Sequence, residues 1–277
     1  MINGTTRLIV HIGYPTDSFK SSMIYNPFFE MRKINAVVVP MGCKSEDYTS
    51  FLKLVFRLSN VQGALITMPH KVATLGLVNE ASVSARIAGA CNAVRIDERG
   101  MMIGDMFDGE GFVRGLSRKG RQIAGSSVFV AGCGGVGSAI AASLAKAGVS
   151  RLGLHDVFAP AMNGLLGRLK AHYPGLEVTT GSADPAGYDT VINATPLGMK
   201  KNDPLPIDID RIASSTFVGE VVMAEEITPF LAAARAKGCD YQVGTDMLFE
   251  QIPAYLEFFS LGTATPDELR AVAQVSY

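Results

Sequence analysis

Apolar residues along the chain fall into short runs, separated by stretches where they recur at helical spacing. Runs at 7–12, 36–39 and 63–67 predict three strands. Between them, 22–33 and 46–58 predict helices; in the second, Phe51, Leu54, Val55 and Leu58 share one face. Residues 93–96 and 101–103 flank Glu98-Arg99-Gly100 and predict a hairpin. A helix to about residue 119 follows. Runs at 128–131, 151–154, 188–194, 215–220 and 241–243 predict five more strands, with helices over 138–147 and 228–237 and a closing pair at about 246–259 and 266–274. Strands alternating with helices predict a mainly parallel α/β sheet. A boundary near Asp108 divides the chain into 1–108, 109–241 and C-terminal helices over 242–277.

One stretch organises the rest. After the apolar run 128–131 come Gly132, Gly134 and Gly137 in G-x-G-x-x-G spacing, then an alanine-rich helix and a second strand ending at Asp156. In a strand–turn–helix–strand unit the first glycine permits the tight turn. The second lets backbone approach a pyrophosphate, and the third lets helix and strand pack closely, with the helix N-terminus facing the phosphate charge. The context turns a weak motif into a dinucleotide-binding signal. A Gly/Ala-rich packing helix that binds nothing is the plain alternative.

Composition narrows the function further. The 277 residues suffice for two ordinary domains, and the formal net charge of −1 shows no basic stripe for nucleic acid. Cys43, Cys91, Cys133 and Cys239 are scattered without C-x-x-C spacing, which argues against a disulfide framework or zinc site and for a reducing cytoplasm. The start of the chain lacks the pattern of a signal peptide. The glycines of 128–147, the most apolar window, argue against a membrane span.

In open α/β sheets ligands bind beyond the carboxyl ends of the strands. Loops at 69–71, 105–108, 195–199 and 243–246 are therefore expected to line one cleft. Oxidising an alcohol beside a nicotinamide requires a group that takes the hydroxyl proton, and lysine serves when burial or a neighbour depresses its pKa. Lys71 and Asp108, each near the end of a predicted strand, are the candidates; a solvated loop lysine and a turn-forming Asp-Gly are their plain alternatives. A hydrolase triad from His70, Asp108 and a serine lacks a G-x-S-x-G elbow, and His11, His70, His155 and His172 are too dispersed for a metal cluster.

Signatures along nearly the whole chain resemble the shikimate/quinate dehydrogenase family. They are Gly13-Tyr14-Pro15 with Lys20-Ser21, Thr67-Met68-Pro69-His70-Lys71, Ala90-Cys91-Asn92-Ala93, Gly104-Asp105 through Asp108-Gly109, Gly132-Cys133-Gly134-Gly135, Ile192-Asn193-Ala194-Thr195, Thr228-Pro229-Phe230-Leu231, and Met247-Leu248 with Gln251. The resemblance implies an N-terminal substrate domain, a Rossmann dinucleotide-binding domain, and C-terminal helices returning to the first domain. It implies Lys71 and Asp108 as the catalytic pair and Asn92, Thr67 and Gln251 as substrate-binding residues. Ser21 matches the second serine of the family's S-x-S carboxylate clamp. The expected cofactor site comprises Gly132, Gly134, Gly135, Val136, Gly137 and Asp156, with Asn193, Thr195 and Gly244 on neighbouring loops.

Departures from the pattern bear on specificity. Phe19 stands at the first clamp serine, with Ser18 adjacent but out of register; Leu65 stands at an asparagine, and Met223 where many members place a tyrosine. Met106 and Phe107 replace a polar pair. Retained hydride chemistry with altered recognition of a cyclic hydroxy acid is the expectation, with quinate or an amino-substituted analogue preferred over shikimate. An acid after the second strand bonds the adenosine ribose 2′-hydroxyl and repels a 2′-phosphate, so Asp156 predicts NAD as the preferred cofactor, with NADP use left open; a helix cap is the alternative role for Asp156. A cytoplasmic monomer or homodimer is expected. The rival reading is a non-catalytic ligand- or redox-sensing module that kept the fold.

Overall fold

The computed structural model describes residues 2–17 and 19–275. The chain forms two compact units, one containing residues up to Phe107 with those from Ile252 onward, the other Asp108–Gln251.

The first unit is built from β1 (Arg7–Gly13), α1 (Ser22–Met31), β2 (Ala36–Gly42), α2 (Ser45–Val55), β3 (Val61–Ile66), α3 (Lys71–Leu75), β4 (Glu80–Ala81), α4 (Val83–Ala88), β5 (Ala93–Ile96) and β6 (Met102–Asp105). Its sheet runs β2-β1-β3-β5-β6-β4. The β1–β2, β1–β3 and β4–β6 pairs are parallel, while β5 is antiparallel to both β3 and β6. Strand alternation sorts its side chains. Val10 and Ile12 of β1 join Ala64 and Ile66 of β3 and Tyr48, Leu52 and Val55 of α2 in one apolar cluster. The intervening residues His11 and Leu65, register partners, therefore project from the opposite face.

The second unit comprises α5 (Asp108–Arg118), β7 (Ser127–Ala131), α6 (Gly135–Lys146), β8 (Arg151–His155), α7 (Ala159–His172), β9 (Glu177–Thr180), β10 (Thr190–Asn193), β11 (Phe217–Glu220), α8 (Pro229–Ala236) and β12 (Tyr241–Gln242). Helix α9 (Gly244–Phe258) contributes residues to both units, and α10 (Pro266–Val272) belongs to the first. All five strand pairings of this sheet are parallel, in the order β9-β8-β7-β10-β11-β12. Numbered along the unit, that is 3-2-1-4-5-6, whose crevice for a ligand lies where the order reverses, between β7 and β10.

The structure adds elements that periodicity did not announce. α7 buries Met162, Leu165 and Leu169 on one stripe, but Pro160, Gly164 and Gly167 dilute its pattern, and β9 beside it is mostly exposed. Helix α6 begins at Gly135, not at 138: the glycines of the turn themselves form its first residues. Short α3 and α4 lie where periodicity predicts no helix.

Candidate active site

In the second unit the turn after β7 is made of backbone packed against backbone. Gly132 has φ +97°, where a side chain would strain the chain; its amide bonds the His155 carbonyl at 2.8 Å, and a Cβ there would lie 2.6 Å from the Ala194 carbonyl. A Cβ on Gly137 would stand 1.9 Å from the Gly132 carbonyl oxygen. Gly134 and Gly135 differ: nothing lies within 4 Å of where their Cβ atoms would be. The first two glycines close the turn, and the other two leave open space over amides at the start of α6. That is the shape a pyrophosphate requires. Val136 occupies the next position of the helix.

Asp156 follows β8. One carboxylate oxygen accepts from the Cys133 amide at 2.6 Å and the other from the Phe158 amide at 2.8 Å. Each oxygen keeps a lone pair for a ribose hydroxyl. Val157 and Phe158, immediately after it, are exposed apolar side chains that the sequence analysis passed over. Burial pushes the Cys133 thiol up to about 12, so it is a packed neutral group and no nucleophile.

Asn193 and Thr195 organise the adjoining edge. Asn193 Oδ1 accepts from the Thr195 amide and hydroxyl at 3.0 and 2.7 Å, while its amide group donates to Glu220 Oε1 at 2.9 Å. Glu220 also accepts from the Val221 and Val222 amides and the Thr228 hydroxyl. Burial raises the pKa of this carboxyl against the pull of those bonds. Glu220 thus ties the ends of β10 and β11 to the cap of α8, a role that one acidic residue inside an apolar run did not reveal. Gly244 begins α9, where a Cβ would meet the Val222 carbonyl at 2.3 Å.

Asp108 is the first residue of α5 and is buried. Gln251 on α9 is buried too, and its side-chain carbonyl has no hydrogen-bond partner among the described residues. A Cβ on Gly111 would fall 2.6 Å from Gln251 Cβ, so α5 and α9 touch within one turn of Asp108.

The first unit gathers Ser21, Thr67, Lys71 and Asn92. The Thr67 amide bonds Ile12 O at 2.9 Å, the Ile66 amide bonds Asn92 O at 2.8 Å, and the Cys91 amide bonds Lys71 O at 2.9 Å. These bonds draw the ends of β1, β3 and β5 and the start of α3 together. Asn92 Oδ1 accepts from the Phe107 amide at 2.9 Å, just where the chain enters Asp108. Ser21 Oγ bonds His11 Nδ1 at 2.5 Å, and the Phe19 ring stacks on the His11 imidazole with centroids 4.0 Å apart. Burial, reinforced by the Lys71 charge, lowers the His11 pKa to about 4. Ser18 lies outside the described residues. His70 is committed elsewhere: its ring stacks on Tyr48 at 3.9 Å and Nε2 bonds Cys43 O at 2.7 Å, which removes the hydrolase triad. No group of three or more His, Cys, Asp or Glu able to hold a metal occurs among the described residues. Among those residues no helix is long and apolar enough to cross a membrane.

Fold and turn together define a two-domain α/β protein whose second domain is a dinucleotide-binding Rossmann unit. A family model described as the shikimate dehydrogenase substrate binding domain matches residues 11–94. The chain is 33% identical over 254 residues to a shikimate dehydrogenase (NADP(+)) of Rubrobacter xylanophilus, covering 90% of this chain and 89% of that one. It belongs to the shikimate dehydrogenase family. Among solved structures it is similar to quinate dehydrogenase from Corynebacterium glutamicum in complex with NAD, at TM-score 0.87 and 28% identity over 96% of this chain and 98% of that one. It is also similar to 5-ketofructose reductase of Gluconobacter sp., at TM-score 0.88 and 25% identity over 98% of this chain and 99% of that one.

Proposed function

We propose that the protein is a nicotinamide-dependent oxidoreductase that interconverts a secondary alcohol and a ketone on shikimate, quinate or a related cyclic hydroxy acid. The observation that carries this reading is the Gly132–Gly137 cradle at the switch point of a 3-2-1-4-5-6 sheet, in a chain whose other unit gathers Lys71, Thr67 and Asn92. Family membership agrees with it. Relatives named for NADP and for NAD both occur, so the family uses NAD(P). Asp156 supports NAD as the preferred form here, because a carboxylate at the ribose opposes a 2′-phosphate.

The bound nicotinamide supplies or accepts hydride. This chain's residues do the rest. Lys71 takes the hydroxyl proton during oxidation and returns it during reduction, and Asp108 orients the hydroxyl. Thr67, Asn92 and Ser21 hold the ring from one side. Gln251, whose buried carbonyl is an open acceptor, takes a further hydroxyl. Phe19 and Leu65 are apolar where the family pattern is polar, so shikimate itself is a poorer substrate than quinate or an amino-substituted analogue. The non-catalytic sensing reading has no observation in its favour.

The test is initial-rate absorbance at the reduced-nicotinamide band, crossing NAD and NADP with shikimate, quinate and their amino analogues. 5-Ketofructose with the reduced cofactors extends the panel, given the likeness to the Gluconobacter reductase. Lys71→Ala should lower kcat by roughly 10³-fold, within the usual range for a lost acid–base group, and leave cofactor affinity nearly unchanged by fluorescence titration. Turnover undiminished in Lys71→Ala would remove the lysine from the mechanism.

A further inference from the structure

The first unit carries a polar side chain that the proposed reaction does not use. His11 sits in the middle of β1, on the face that also carries Leu65 and away from the α2-side core. A histidine inside a parallel strand interrupts a run that is otherwise Leu, Ile, Val and Ile. Its Nδ1 is tied to Ser21 Oγ, one face of its ring is covered by Phe19, and the charge of Lys71 reaches it.

We propose that His11, oriented by Ser21 and Phe19, is a specificity-determining residue that receives an uncharged hydroxyl, carbonyl or amide group of the substrate and disfavours a carboxylate at that position. The inference rests on the dehydrogenase reading and narrows its substrate class, putting an uncharged polar group where the hydroxy acid carries its carboxylate. A carboxylate moved from water needs a cation or several donors to replace its hydration. The proposed reaction commits the Lys71 amine to the reacting hydroxyl, and at this end of the half-site Phe19 and Leu65 add neither cation nor donor. Ser21 and His11 share one hydrogen bond, so one proton between them is already used. The imidazole stays neutral near pH 7, since burial and the Lys71 charge both oppose its protonation. A neutral imidazole beside a hydroxyl presents one donor and one acceptor. That pair satisfies a hydroxyl or an amide and leaves a carboxylate short of donors. The stacked Phe19 ring and the Ser21 bond hold the imidazole plane, which leaves Nε2 as the atom offered to a ligand.

Shikimate and shikimate carboxamide share ring and hydroxyls and differ in the charge of one group. Titration calorimetry of the NAD-loaded protein should show the carboxamide binding about tenfold tighter than the acid, the scale of one buried unsatisfied polar group. His11→Gln, which keeps a polar atom near the Nε2 position, should retain that preference. His11→Asn, which mimics Nδ1 and preserves the Ser21 bond, should lose it while folding normally. Binding of the carboxamide should also shift the His11 ring resonances, read by NMR against the His11→Asn spectrum. Acid bound as tightly as amide, or a preference untouched in His11→Asn, overturns the inference; if the acid is also oxidised, the proposed dehydrogenase stands without it. No binding and no turnover of either compound by cofactor-loaded protein overturns both.

Discussion

The two halves of the machinery are made of different material. The cofactor cradle of the second unit is mostly backbone: Gly132 and Gly137 leave no room for a Cβ, Gly134 and Gly135 leave space above their amides, and the Asp156 and Ser138 side chains pin the turn through Cys133. The proposed substrate half-site of the first unit is made of side chains hung on backbone bonds, and two of its positions, Phe19 and Leu65, depart from the family pattern, with His11 packed against Phe19. A pyrophosphate is the same ligand in every nicotinamide enzyme, so its cradle tolerates little change. A substrate end can vary, and side chains exchange without disturbing β1 or β3. The contrast teaches where this chain is free to evolve.

The sharpest way to break the comparison is to put a side chain into the cradle. Gly137→Val places its first carbon 1.9 Å from the Gly132 carbonyl oxygen, with Ala194 Cβ at 3.2 Å. Both obstacles are short and held by packing, so the turn itself must open. Cofactor affinity should fall beyond measurement, by more than 10³-fold, or the unit should fail to fold, since severe backbone clashes lie in the tail above about 4 kcal/mol. Gly134→Ala, with open space around it, should fold as the parent does and weaken binding only through the ligand it crowds. Thermal melts with and without NAD separate the two. A Gly137→Val protein with unchanged cofactor affinity would mean that the cradle is not the site.

That difference in material also decides what the sequence could reveal. The cradle was legible because glycine spacing reports backbone geometry directly: Gly132, Gly134 and Gly137 carry their conformational meaning in their identity. The open α/β architecture was legible from buried strands such as 128–131 and 190–193, whose apolar runs need no partner to be recognised. α7 was not, because a Pro and two glycines blur a stripe that tertiary packing completes. The Glu220 network was hidden as well: one acid at a strand end looks like any turn residue until Asn193 and Thr228, 27 positions before and 8 after it, are seen to donate to it. His11 read as a dispersed histidine with no role. Its place beside Ser21 and Phe19 depends on the pleat of β1 and the path of the loop after Gly13, and spacing reports neither.

On the substrate side, His11 makes stability depend on pH in a calculable direction. Its pKa falls from 6.5 to about 4 in the folded protein. Above pH 6.5 both states hold it neutral, and it adds no slope. As pH falls through 6.5 the unfolded chain takes a proton that the folded chain refuses until about pH 4, so stability declines across that window and levels off below it. By pH 4.5 the loss attributable to this residue should be about 2–3 kcal/mol. His11→Gln, which does not titrate, should recover that amount relative to the parent between pH 7.5 and 4.5, read as the difference in urea midpoints. Parallel profiles for the two proteins would show that the folded imidazole takes its proton as readily as the unfolded one, and the neutral half-site would be lost.

The smallest expected effect falls on the acidic side chain of the cradle. Asp156 bonds two backbone amides, so it has structural work to do whether or not it meets a ribose. Two opposite charges act on the loop at Cys133: Asp156 raises the thiol pKa and Arg168 lowers it. Neutralising the acid leaves the guanidinium as the stronger field, which a 2′-phosphate would favour. Asp156→Asn should therefore raise the ratio of NADP to NAD in kcat/KM about tenfold, or roughly 1.4 kcal/mol. Arg168→Gln in that background should return the ratio toward the parent's. The expected effect is modest because Asp156 lies beside exposed Val157 and Phe158, where water screens both charges. If the ratio stays put while the melting temperature drops, Asp156 serves the turn alone, and the cradle is backbone through and through, with cofactor choice set by some other residue.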